Sequence, residues 1–258
     1  SKKMKKFFVA IGILGMVGLQ PSFVFAADVA SLKIQVAGVL QQALVIRESL
    51  RQLTLKEPLQ ANLASTGQKQ VALQVGHWKM EEVPWELRYL DQHRQAQGGG
   101  KMEWEINLTI AQETAKLLEA KGIGVTLLPA ILPSIYKADV FVSIHADQNP
   151  NLPWKSGFKV ASSAFDQSGK AKRLERLLKE EYRKATGLDL ENYIPPSMPY
   201  YYAFNSSKFL YAIHPQTPSA IIETGYLPNP RDRAVILTNP QMAAQGIAQA
   251  TIKFLEET

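Results

Sequence analysis

Hydrophobic and polar positions divide the chain into three regimes. Residues 7–19, FFVAIGILGMVGL, form an uncharged apolar run behind a lysine-rich start, SKKMKK. From residue 28 to 56 the apolar positions recur at helical spacing. Leu32, Val39, Ile46 and Leu53 repeat every seven residues, and Val36, Ala43 and Leu50 do the same, offset by four. This is an a/d seam of about three heptads. It fits an amphipathic helix packed on its own domain, or a short coiled coil for self-association or for docking a regulatory partner. Residues 57–69 are polar with Pro, Gly and Ser, and read as a linker.

Beyond residue 70, short apolar runs alternate with amphipathic stretches. The pattern predicts strands at 70–76, 124–129, 138–146, 157–163, 209–213 and 219–223. It predicts helices at 103–121, ending at Gly122, at 170–186, and from Asn239-Pro240 to about 256. Residues 78–102, which end in Gly98-Gly99-Gly100, and the aromatic- and proline-rich 188–205 read as irregular. Interleaved strands and helices argue for an α/β fold: a single domain over 70–258, with a mostly parallel central sheet flanked by helices on both faces.

Composition changes this picture at the ends. A basic start, a short apolar run and Val24-Phe25-Ala26 before Ala27 fit a secretory signal peptide over 1–26. The run is short for a membrane span of about 20 residues; the other reading is an uncleaved anchor. Either places the protein outside the cytoplasm: periplasm, cell wall or extracellular space. The chain has 29 Lys and Arg against 23 Asp and Glu, and the leader holds four of those lysines and no acid. The remaining 25 against 23 gives no footprint for nucleic acid. With no cysteine, any metal site must use His and carboxylates.

Candidate chemistry gathers at the carboxyl ends of the predicted strands, where open α/β sheets place their ligands. By alternation, Leu73, Val75 and His77 share a face, as do Phe141, Ser143 and His145, and Glu223 ends SAIIE in the same way. At 100° per residue, Glu103, Ile106, Ile110 and Leu117 share the inward side of the helix that begins near 103, while Glu105 points to solvent. A buried carboxylate needs a partner, and a metal shared with two histidines supplies one. Two imidazoles and a carboxylate leave zinc a fourth position for water. Glu223 is then placed to take the water's proton and pass it to a leaving amine. Each residue alone has a plainer reading: a hydrogen-bonded loop histidine, a helix-start acid, a surface carboxylate.

These residues sit in motifs that resemble the zinc-dependent N-acetylmuramoyl-L-alanine amidases of the type-3 family. The likeness rests on Val75-Gly76-His77, on Glu103-Trp104-Glu105-Ile106-Asn107-Leu108, on the stretch DVFVSIHAD from Asp139 to Asp147, and on Glu223-Thr224-Gly225-Tyr226-Leu227-Pro228-Asn229. It covers about 70–257. It implies zinc held by His77, Glu103 and His145, with Glu223 as the catalytic carboxylate. It also implies hydrolysis of the amide between N-acetylmuramic acid and L-alanine in peptidoglycan, for wall remodelling, cell separation or lysis. A related zinc peptidase cutting the stem peptide, or an inactive wall-binding relative, are the alternatives. After His77 the chain departs from the family's Gly-Gly continuation. Asn107, Asp147 and His214 are further candidates for substrate contact or for support of the ligands. Tyr200, Tyr201, Tyr202 and Phe204 can stack on substrate or simply pack.

Overall fold

The computed structural model describes residues 26–56, 67–81, 83–92, 97–148 and 152–256. The expected signal peptide and most of the linker lie outside the described residues, as does His93. The chain divides into two compact units, residues 1–49 and 50–258. In the first, the described residues all belong to α1 (Ala26–Lys56). Leu32, Val36, Val39, Ile46 and Leu50 on its seam are all exposed, and so are Leu44 and Val45, which lie off it. The apolar surface of α1 is therefore broader than the two-position seam of the heptad reading. No helix among the described residues is long and apolar enough to cross a membrane.

The second unit is built on a five-stranded sheet, ordered β4-β1-β5-β7-β6. Its strands are β1 (Gln70–Val75), β4 (Gly124–Leu128), β5 (Val140–Asp147), β6 (Lys159–Ser162) and β7 (Ser219–Tyr226). All neighbours run parallel except β6, which pairs antiparallel with β7 at the edge. A two-residue hairpin, β2 (Gln97–Gly98) and β3 (Lys101–Met102), precedes α2 (Glu103–Glu119). Its turn residues Gly99 and Gly100 have φ of 61° and 79°, a double left-handed turn that glycine makes without steric cost. So part of the stretch read as irregular is a hairpin, and Trp85–Gln92 within it is a 3-10 helix.

Alternation along the strands produces two unlike faces. Val71, Leu73, Val75, Val142, Ile144, Val160 and Ile222 face α2, α3 (Ala171–Thr186) and α5 (Pro240–Glu256) and form the larger core. α4 (Pro230–Arg233) and a turn of π-helix lead from β7 into α5. Ala72, Phe141, Ala161 and Ile221 face the other way, into a core of Leu87, Tyr136, Met198, Tyr202, Phe204 and Phe209. Among the described residues, the long helices of this unit lie on the first face alone. The expectation of helices on both faces is corrected here. Pro129 and Pro133 in one covering segment, and Pro195, Pro196 and Pro199 in the other, oppose helix formation. Loops and 3-10 turns cover the second face instead.

Two smaller expectations also change. Leu118, not Leu117, is the inward residue of the last turn of α2. Residues 209–213 form no strand beyond a bridge from Ile213 to Tyr136. The Leu210 and Tyr211 N–H groups donate to Glu86 Oε1 (2.8 and 3.1 Å), so a carboxylate replaces the ladder that a strand would need.

Candidate metal centre

The site lies at the carboxyl ends of β1, β5 and β7. In the sheet register, His145 is paired with Glu223, and Glu223 with Lys159. These three side chains therefore form a row on the loop-covered face. Glu103 reaches the row from the first turn of α2. Its Oε1 is 3.2 Å from His145 Nδ1, its Oε2 is 3.4 Å from His77 Nε2, and it accepts from the Ala146 N–H at 3.2 Å. His77, Glu103 and His145 each offer a ligand atom, all within 4.8 Å of one another, which makes them a candidate metal site. Glu105 folds back to accept from the Met102 N–H at 2.8 Å and so caps the helix, as a third-position acid does.

His77 does not arrive there by alternation. Leu73 and Val75 belong to the helical face, whereas His145 lies on the other. Strict alternation would put the two histidines on opposite sides of the sheet. The backbone of His77 is left-handed, φ 62°, a conformation uncommon for a side-chain-bearing residue and found where function requires it. That turn swings the ring back toward Glu103. Gly76 is explained by the neighbouring ring: a Cβ there would sit 2.5 Å from both His145 Nδ1 and His145 Cε1. The Gly-His pair thus encodes the approach of two histidines from neighbouring strands.

The electrostatics follow from burial and partners. Burial alone would raise the Glu103 carboxyl, but its hydrogen bond to His145 and the charges of both imidazoles bring it below the usual carboxylate range. Burial works against a charged His145, and the Glu103 hydrogen bond with the Glu223 charge outweighs it, raising the imidazole. Glu223 has no such direct partner. Burial pushes its carboxyl up to about 8, with the Asp147 and Glu103 charges assisting and His145 and Lys159 opposing. Its Oε2 is buried without a hydrogen-bond partner among the described residues.

The other candidates separate. Asn107 is fully buried and donates from Nδ2 to Gly76 O (3.3 Å) and Glu103 Oε1 (3.2 Å). It holds the Glu103 carboxylate and is itself fully buried. Asp147 forms an ion pair with Lys159. Lys159, which the sequence reading passed over, is buried and lies 4.9 Å from the Tyr226 ring centroid. Its signal was a lysine on the inward-facing register of an otherwise apolar strand. His214 is at the opposite end of the sheet. Its N–H donates to Tyr136 O and its Nδ1 accepts from the Gln216 N–H, so it serves the turn before β7 and does not join the cluster. Tyr201 does join it, with its hydroxyl 3.2 Å from His145 Nε2.

A cavity of about 170 Å³ opens beside the cluster, lined by His77, Met80, Leu90, Ala130, His145, Tyr201 and Tyr202. Met80 and Leu90 on one side and Tyr201 and Tyr202 of the aromatic loop on the other therefore form part of its walls. A larger hollow of about 250 Å³ near Lys69, Asp139 and Gln216 lies at the amino ends of the strands and contains none of these groups.

Residues 71–253 match the family model described as N-acetylmuramoyl-L-alanine amidase. The chain belongs to this family. The amidase thus cleaves the bond between N-acetylmuramic acid and L-alanine in peptidoglycan. No curated protein matches it. Among solved structures, it is similar to an N-acetylmuramoyl-L-alanine amidase of Clostridium difficile 630, at 20% identity and a TM-score of 0.55, over 75% of this chain and 100% of that one. It is similar to amidase Ami1 of Mycobacterium smegmatis at 20% identity and 0.56, over 74% and 98%. It also resembles the CwlD amidase of Clostridioides difficile, solved in complex with the GerS lipoprotein, at 19% and 0.50, over 74% and 100%. At these identities the likeness is one of fold.

Proposed function

We propose that the amidase is a zinc enzyme in which His77, Glu103 and His145 hold the ion and Glu223 carries the proton, acting on peptidoglycan outside the cytoplasmic membrane. The observation that carries this reading is the meeting of two imidazoles and an ionised carboxylate within 4.8 Å, beside a buried carboxyl whose Oε2 has no hydrogen-bond partner among the described residues. Nitrogen and oxygen donors in a 2-His-1-carboxylate set fit zinc and leave a position open. When bound there, zinc acidifies a water and polarises the scissile carbonyl.

The protein's own groups do the rest. Glu103 stays ionised because both imidazoles face it, and Asn107 fixes its orientation. Glu223, raised to about 8, is poised near neutrality to take a proton at Oε2 and return it to the departing L-alanine amine. The organisation that supports this chemistry is an export leader over 1–26, a helix over 27–56, a linker over 57–69 and a catalytic domain over 70–258. The broad apolar surface of α1 suits docking to a regulatory partner or a second copy.

Elemental analysis of the purified protein and digestion of a muramoyl-peptide test the proposal. The expected result is bound zinc and new L-alanine amino termini. Cleavage between amino acids would replace this reading with a stem peptidase. Absence of both zinc and turnover would leave a wall-binding relative.

A further inference from the structure

The hollow at the amino ends of the strands lies apart from the proposed reaction. It measures about 250 Å³, and its lining includes Lys69, Lys137, Asp139, Lys170, Pro218 and Phe254. Topology brings these together. Lys69, Asp139 and Pro218 directly precede β1, β5 and β7, and Lys170 directly precedes α3. β1, β5 and β7 are parallel neighbours, so their starts lie side by side. Cations from three segments far apart in sequence therefore meet around one hollow.

The charges there are unbalanced. Among the described residues, Lys69, Lys137 and Lys170 form no ion pair. Cations just outside are occupied. Lys172 pairs with Glu175 at 2.9 Å, Lys253 pairs with Glu181 at 2.6 Å, and Arg173 donates to Phe254 O at 2.8 Å. The one acid of the lining is taken up by the sheet: Asp139 Oδ2 accepts from the Gln70 N–H at 2.7 Å. Asp166, on the loop before α3, accepts from Ser168 Oγ at 2.6 Å and from the Ala171 N–H at 3.2 Å. Three ammonium groups against one carboxylate leave the hollow an excess of two positive charges. The whole chain beyond residue 26 has the same excess, 25 against 23. This corner thus concentrates a charge that the rest of the surface balances.

The kind of cation selects the kind of anion. Arginine's planar fork matches a carboxylate, whereas lysine binds phosphate as a point charge. Lysines line this hollow and no arginine does, which suits a tetrahedral group approached from several sides. The volume is below the roughly 300 Å³ at which pockets for drug-sized molecules begin, so it takes one small group. Buried Phe254, with Pro218, supplies an apolar wall for the carbon of an ester. We propose that this hollow is a binding site for a phosphate ester, held by the ammonium groups of Lys69, Lys137 and Lys170. The ester belongs to a lipid headgroup or to a soluble molecule. The site does not depend on the zinc reading. His145 and Glu223 occupy the other end of the same strands, so an amidase seated on a phosphate-bearing surface through this hollow turns its metal centre away from that surface.

The full chain is titrated with glycerol 3-phosphate by calorimetry, and with phosphatidylcholine vesicles containing phosphatidylglycerol by co-sedimentation. The test variant is Lys69→Gln/Lys137→Gln/Lys170→Gln, at three exposed positions. Its affinity for glycerol 3-phosphate is expected to fall at least about tenfold. If a lipid carries the ester, its vesicle affinity should fall about 100-fold. Lys101→Gln/Lys184→Gln/Lys208→Gln removes the same charge from exposed positions outside the hollow. It should stay within about twofold of wild type in both assays, because solvent screens distant charges. Muramoyl-peptide turnover and zinc content should be unchanged in both variants, which separates this site from the metal centre. Loss of glycerol 3-phosphate binding alone assigns a soluble ester, and loss of vesicle binding assigns the headgroup. Wild-type protein that binds neither probe would overturn the site. So would a hollow variant that binds as wild type does, or an equal loss in the control variant. Displacement of glycerol 3-phosphate by an equal concentration of acetate would overturn the choice of phosphate.

Discussion

The two faces of the sheet are made from the same strands and do different work. Toward the helices, β1, β5, β6 and β7 present Val, Leu and Ile almost without interruption. Toward the loops, the same strands present Gln74, Ser143, His145, Lys159 and Glu223 beside Ala72, Phe141 and Ile221. Period-2 alternation lets one ladder serve both, because each residue on the chemical face sits between neighbours anchored in the aliphatic one. The aliphatic face resists displacement through burial, which has no direction. The chemical face is ordered by directional bonds that depend on which atom donates. Substitutions on the two faces should therefore be distinguishable by what they damage.

The largest separation is expected from Glu223→Ala. Turnover of a muramoyl-peptide should fall by about 10²- to 10⁴-fold while zinc content and melting temperature stay near wild type. Substantial remaining activity would end the proton-carrier assignment. Leu73→Ala, on the same sheet but the opposite face, should do the reverse. It is expected to cost about 2–5 kcal/mol of stability in denaturant unfolding, with zinc per folded molecule unchanged. Zinc loss at native concentrations of folded Leu73→Ala would mean the faces are not separable. Gly76→Ala joins the two effects. The added Cβ meets the His145 ring at 2.5 Å, so zinc should be lost together with about 1–3 kcal/mol of stability. Retention of full zinc affinity would show that the ring can move aside.

The smallest effect concerns the tie between α3 and β6. Glu175 accepts from Ser162 Oγ at 2.6 Å and from the Ser162 N–H at 3.1 Å, and pairs with Lys179 and Lys172. Burial would raise its carboxyl, but these bonds outweigh that and hold it at about 2. A carboxyl depressed on folding stabilises fully above its unfolded pKa and loses that contribution as pH falls through its folded value. The Glu175 contribution is therefore present above about pH 4.5 and vanishes toward about pH 2. Discounted for its partly solvated position, it is about 1 kcal/mol. Glu175→Gln should remove that difference at neutral pH and flatten the acid limb of the stability profile, with zinc binding untouched. An unaltered limb would count against it.

How much of this was legible in the sequence also divides by face. The aliphatic face was readable because its residues repeat at regular intervals. The strands and the three long helices of the catalytic unit follow from that, and Glu103 was singled out from Glu105 by helical angle alone. The cover of the other face was not readable. Met198, Tyr202, Phe204 and Phe209 come from segments with no period, and a proline-rich stretch gives no sign of where it docks. His77 does meet Glu103 and His145, but it was placed by a rule that fails there, because alternation ends at Gly76 and a left-handed residue follows. The buried pair of Gln74 and Ser143 was out of reach for a different reason. Pairing Gln74 with Ser143 needs the register between two strands that are 69 residues apart, which composition and spacing do not contain.

The bare backbone at Gly76 has a consequence for inheritance and for design. Because the His145 ring rests where a side chain would begin, the two positions cannot drift independently. A lineage that exchanged this glycine would have to surrender the imidazole first. A descendant that lost catalysis would then be expected to show the damage as a pair. For an engineer the same contact marks a boundary: Gly76 and His145 must be rebuilt as a unit.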